Sequence, residues 1–191
     1  MATVATPMGA EPVNTLSASG SFTGKVRHIK IASGYGTGIF YGDFVKLVST
    51  GTVEKDTGTS SLTPVGVFVG CSYTDPSTSQ LTFNQTFPAS TAADDIMAYV
   101  VDDPNLVMQM QSSGVLSQTE LGNNIAVVQT AGSTSIGRSK NSLGDTGATT
   151  NTLPMRIIEF VDGPNSAVGD AFTDALVFFN VGHQYTNTTG V

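Results

Sequence analysis

Asp95-Ile96-Met97-Ala98-Tyr99-Val100-Val101-Asp102-Asp103-Pro104-Asn105-Leu106-Val107-Met108-Gln109-Met110-Gln111 reads as strand, turn, strand. Its first part is rich in β-branched and aromatic residues, which fit a pleated, half-buried surface. Asp102 to Asn105 carries turn chemistry, with carboxylates to cap backbone N–H groups and a proline to fix the bend. The chain then resumes as a strand in the opposite direction.

The same reading extends outward. Lys25-Val26-Arg27-His28-Ile29-Lys30-Ile31 alternates polar and apolar residues, as a half-buried strand does. Gly42 to Val48 and Thr52 to Lys55 flank a short Ser-Thr-Gly link and predict a hairpin. Pro64 opens a longer apolar strand to Tyr73, and Gln80 to Phe87 alternates again. Ile125 to Gln129, Met155 to Val161 and Ala175 to Val181 supply three more. One helix start stands out: Ser117-Gln118-Thr119-Glu120 has capping-box spacing, and Gly122-Asn123-Asn124 ends it within about two turns. About nine short strands with a single short helix predict an all-β fold, an antiparallel β-barrel or sandwich.

Around that domain, residues 25–183, lie two less regular pieces. Residues 1–24 are full of breakers yet punctuated by Met8, Pro12, Val13, Leu16 and Phe22. They predict an extended arm whose apolar anchors touch a neighbour. Residues 184–191 predict a frayed tail. The polar stretch 131–152 predicts a long surface loop.

Composition narrows the function. The chain has 191 residues, 8 basic against 15 acidic, and a formal net charge of −7. Such a surface repels phosphates, so no nucleic-acid role is expected. Charged residues make up 12%, about half the share in an ordinary soluble domain. The start of the chain lacks the pattern of a secretory leader, and no stretch approaches the length of a membrane helix. Cytoplasmic production and no membrane partner follow as expectations. Cys71, the only cysteine, sits in the apolar run 65–71 and predicts a buried, inert thiol.

Catalysis finds little support. The two histidines, His28 and His183, have no Gly-x-Ser-x-Gly nucleophile elbow to serve. Asp94-Asp95 and Asp102-Asp103 are adjacent pairs, which point to opposite faces of a strand rather than to one substrate. Gly34-Tyr35-Gly36-Thr37-Gly38 lacks the lysine and helix of a phosphate loop and reads as a turn. Tyr35, Phe40 and Tyr41 read as core packing. The expectation is a non-enzyme, without catalytic residues, cofactor or metal.

Several ordered blocks carry a resemblance. Pro7-Met8-Gly9-Ala10-Glu11-Pro12-Val13, Ile29-Lys30-Ile31-Ala32-Ser33-Gly34-Tyr35 and Ile39-Phe40-Tyr41-Gly42-Asp43-Phe44-Val45-Lys46-Leu47 open it. Pro64-Val65-Gly66-Val67-Phe68, Val100 to Leu106, and Asn165-Ser166-Ala167-Val168-Gly169-Asp170-Ala171-Phe172 continue it. Together they resemble the decoration (cement) and head structural proteins of tailed bacteriophages. The resemblance implies a virion protein on the outer capsid surface, assembled in the host cytoplasm. Its implied partners are the major capsid protein and itself, as a dimer or trimer. The alternative is a carbohydrate-binding or host-attachment module of a head or tail fibre, using loop 131–152 and exposed tyrosines.

Overall fold

The computed structural model describes residues 4–16 and 24–191. The described residues form an all-β structure with strands β1 (Glu11–Thr15), β2 (Val26–Lys30), β3 (Phe44–Leu47), β4 (Val53–Lys55) and β5 (Gly66–Thr74). There follow β6 (Leu81–Asn84), β7 (Met97–Val101), β8 (Leu106–Gln111), β9 (Asn124–Ile125) and β10 (Val127–Val128). The last three are β11 (Ser142–Leu143), β12 (Met155–Phe160) and β13 (Asp174–Phe179).

Two main antiparallel sheets pack in a sandwich-like arrangement. One runs β1-β8-β13-β12-β9; the other runs β2-β7-β5-β3-β4, with β6 paired to β5. The turn at Asp102 to Asn105 therefore does not close a hairpin. It hands the chain from β7 in one sheet to β8 in the other. The second sheet curls until Ile31 forms one parallel bridge with Val53 of β4. A single bridge does not make a closed barrel.

The alternation of strand residues explains how two cores arise. Leu106, Met108 and Met110 of β8 join Val177 and Phe179 of β13 and Phe44, Val67 and Val101 of the curled sheet. That cluster fills the space between the sheets. Val45, Phe68, Cys71, Ala98 and Val100 face the other way and build a second core with Ile31, Ile39 and Phe87. The register of β5 against β7 shifts between Phe68 and Gly70. That bulge reverses the parity of the strand, which is why Cys71 and Tyr73 share the face of Phe68 instead of the face of Val67. A bulge between Ile157 and Glu159 does the same for Phe160 in β12.

Four expectations need correction. The capping box at Ser117 exists, with its N–H donating to Glu120 Oε2 at 2.7 Å, but it starts one 3₁₀ turn, Gln118–Glu120. The Gly122 N–H is taken by the Ile157 carbonyl at 2.9 Å, so the chain leaves the helix path at once. The stretch 131–152 is no free loop: Ser139, Asn141, Ser142 and Leu143 are buried, and β11 pairs with β10. Residues 11–15 of the arm form an edge strand on β8 of their own domain. The first residue of the tail is docked: the Gln184 side chain accepts from Leu47 N–H at 2.6 Å and donates to the Leu47 carbonyl at 2.9 Å, while residues 185–191 stay exposed.

Candidate interaction surface

The face of the curled sheet that bears Phe44, Val67 and Val101 is covered at that end by the first sheet. Pairing registers carry the same face onward to a row that the first sheet does not reach and where Leu81 and Phe83 stand exposed among the described residues. Tyr99 is two residues from Val101 and pairs with His28; Met97 pairs with Lys30 and with Ser72; Ser72 pairs with Phe83, and Thr74 with Leu81. Phe83 is 69% exposed and Leu81 62%. The His28 and Tyr99 rings lie 4.5 Å apart. Two large apolar side chains standing together on one exposed face make this the candidate contact site. Gly70 pairs with Tyr99 and has φ +152°, and a Cβ there would crowd the Asn84 carbonyl of β6 at 3.2 Å.

The edge beside this face is basic. Lys25, Arg27 and Lys30 gather on or next to β2, on a chain with a net charge of −7. Arg27 donates from Nε to the Asp102 carboxylate, and Lys25 lies 3.9 Å from it. Lys30 has no carboxylate within ion-pair reach among the described residues. Two copies pairing through β2 would stack like charges, so this edge resists self-addition and favours an acidic partner.

The residues expected as arm contacts are placed differently. Met8, Val13 and Leu16 are exposed; Pro12 is half-buried and pairs with Met108 in β1; Phe22 lies outside the described residues. The register shift between Pro12 and Asn14 makes Val13 the bulge residue of this edge. A proline and a bulge both blunt a strand edge against further pairing. The backbone of the segment is held to its own domain. Ala10 N–H donates to the Gly42 carbonyl at 2.9 Å, and the Arg138 guanidinium donates to Glu11 Oε2 at 2.6 Å. Tyr41 donates to Glu11 Oε1 at 3.1 Å and lies under Arg138. Among the described residues the apolar side chains of Val4, Met8, Val13 and Leu16 stand exposed.

The remaining titratable groups are structural in their geometry. The Cys71 thiol is buried, with its ionisation pushed up to about 12 by desolvation, so it stays an unreactive thiol. Asp95 accepts from the Thr74 hydroxyl and N–H, which holds it below the usual carboxylate range. Asp103 caps the Asn105 N–H at 2.9 Å. Tyr35 accepts from the Lys55 N–H at 3.1 Å and stacks on Phe87. Among the described residues no three His, Cys, Asp or Glu side chains are grouped to hold a metal ion. Among the described residues no helix is long and apolar enough to cross a membrane.

The uncovered face left no mark in the sequence that could be separated from ordinary strand alternation. Leu81-Thr82-Phe83-Asn84 alternates like any half-buried strand; which of its faces lacks a cover depends on the other sheet. No family model, curated protein or solved structure matches this chain.

Proposed function

We propose that this chain is a virion structural protein that binds the outside of a bacteriophage head and bridges neighbouring capsomers. The observation that supports it best is the uncovered apolar face of Leu81, Phe83, Met97 and Tyr99 beside the basic strand β2. A cement protein resists outward pressure by buried contact area and needs no chemistry. A specific patch of roughly 1,600 Å² in total suffices for stable docking, and repetition over a lattice multiplies weak contacts. The block resemblance to decoration proteins points the same way.

The carbohydrate reading draws on loop 131–152 and exposed tyrosines; the burial of Ser139, Asn141, Ser142 and Leu143 shortens the free part of that loop and favours the cement reading over it. The contact surface shifts with it, from an outstretched arm to a sheet face. Exposed apolar residues of the N-terminal segment become a supplementary contact.

Binding to expanded heads, counted by electron microscopy, tests both parts. Leu81→Ser with Phe83→Ser is expected to lower occupancy at least tenfold while the melting temperature holds. Full occupancy by this variant would remove the face from the contact. Failure of the unaltered protein to bind expanded heads at all would end the cement reading.

A further inference from the structure

One buried polar cluster lies away from that face. Asp43, just before β3, is fully buried. Its Oδ2 lies 2.9 Å from Lys55 Nζ of β4 and accepts the Phe40 N–H at 2.9 Å. Its Oδ1 accepts from Ser139 Oγ at 2.6 Å and from Asn141 Nδ2 at 3.3 Å. Asn141 is fully buried as well, and the Lys55 side chain is 10% exposed. The Asn141 carbonyl oxygen accepts the Thr130 N–H at 3.0 Å. One carboxylate therefore touches both an amine and a carboxamide in a site open to water only at the Lys55 side chain.

We propose that Lys55 and Asn141 condense into a side-chain isopeptide bond, with Asp43 carrying the protons. The parts required for amide exchange are all present: a nucleophile, an acyl group, a proton carrier touching both, and a donor on the acyl oxygen. In the first step a proton crosses from Lys55 Nζ to the Asp43 carboxylate, whose Oδ2 lies 2.9 Å away. The freed lone pair attacks Asn141 Cγ. As the new C–N bond forms, the carbonyl electron pair moves onto Oδ1, where the Thr130 N–H faces it. Asp43 then delivers its proton to Nδ2 and takes one from the new secondary ammonium centre. The Cγ–Nδ2 bond breaks, and nitrogen leaves as ammonia, which is protonated in water as Asp43 returns to carboxylate. The balance is a Lys55 ammonium and an Asn141 amide giving a secondary amide and an ammonium ion, without oxidant or cofactor.

Lys55 Nζ and Asn141 Nδ2 rest against the two oxygens of one carboxylate, and intramolecular partners that come into alignment reach effective molarities of roughly 10⁵–10⁸ M. The bond would join β4 to the segment leading into β11, a staple between parts far apart in sequence. It works without cysteine pairs, which a chain with one cysteine cannot form.

Mass spectrometry of the purified full-length chain under denaturing conditions decides it. The expected mass is one ammonia below that of the sequence. A tryptic fragment joining the Lys55 and Asn141 peptides is expected, with no cleavage after Lys55. Lys55→Arg and Asp43→Asn are each expected to restore the full mass. If either variant does not fold, the spectrum of the unaltered chain still gives the answer. An unshifted mass overturns the proposal, as does an ammonia loss confined to Asn141 and Ser142 as a cyclic imide. A loss of one water, joining Lys55 to Asp43, overturns Asn141 as the acyl group.

Discussion

Two buried aspartates, Asp43 and Asp102, sit at the ends of strands in the same sheet and are treated in opposite ways. Asp43 has both oxygens engaged, and its cation, Lys55, is buried with it. Asp102 is just as buried, yet Oδ1 has no hydrogen-bond partner among the described residues, and its cations, Lys25 and Arg27, are more than half exposed. His183 Nε2 is a second buried atom without a hydrogen-bond partner among the described residues. The first aspartate is enclosed in a finished network. The second couples the docked chain end, through Tyr185 beneath Arg27, to the basic edge of the interaction surface. Equal burial thus hides different energetics, because the cost of a charge depends on where its partner ends up when the pair is broken.

Breaking each pair in turn exposes that difference. Asp43→Ala leaves the Lys55 ammonium stranded with several buried donors, and is expected to cost about 3–5 kcal/mol in urea unfolding. Asp102→Ala is expected to cost less, about 1–2 kcal/mol, because its cations already sit in water. Equal losses for the two would dissolve the distinction. The neighbouring histidine gives a pH signature. Desolvation holds His183 below its ordinary 6.5, against the opposing pull of Asp102 and Asp103. The folded state therefore resists its protonation; the stabilisation is complete above about pH 6.5 and drains as pH falls through the folded value. His183→Phe should flatten the fall in melting temperature across that acid range, though its own stability is lower for losing the acceptor of the Tyr185 N–H. An unchanged slope would show that His183 is already solvated. Smallest of all, Lys25→Ala should move the unfolding midpoint by no more than about 0.5 kcal/mol, since it lies 3.9 Å from Asp102 at the surface.

Much of the fold was legible because period-two alternation survives locally. The hairpin of β3 and β4, the long β5, and the strands β12 and β13 all lie where the pattern put them. Where reading failed, long-range partners decided the outcome. Pro12 looks like a breaker, but on an edge strand a missing N–H costs nothing, so β1 forms. Ser142 of β11 looks like loop, but Asp43 anchors the preceding Ser139 and Asn141 and draws the segment inward. Asp102-Asp103-Pro104-Asn105 was readable as a turn; that it joins two sheets was not, because the turn residues satisfy only local N–H groups. Asp43 itself carried no signal, since its partners Lys55, Ser139 and Asn141 lie far away along the chain. The interaction face escaped for a related reason: alternation says that two faces differ, and only the packing says which one is left bare.

The order of strands has a consequence for synthesis on the ribosome. Strand β1 is made first, but its hydrogen-bonding partner β8 is translated only after β2 through β7 have emerged. The leading strand must therefore wait, unpaired, while the curled sheet takes shape behind it. During that interval Pro12, which has no N–H to offer, limits pairing of the newborn strand with the wrong neighbour on a crowded polysome.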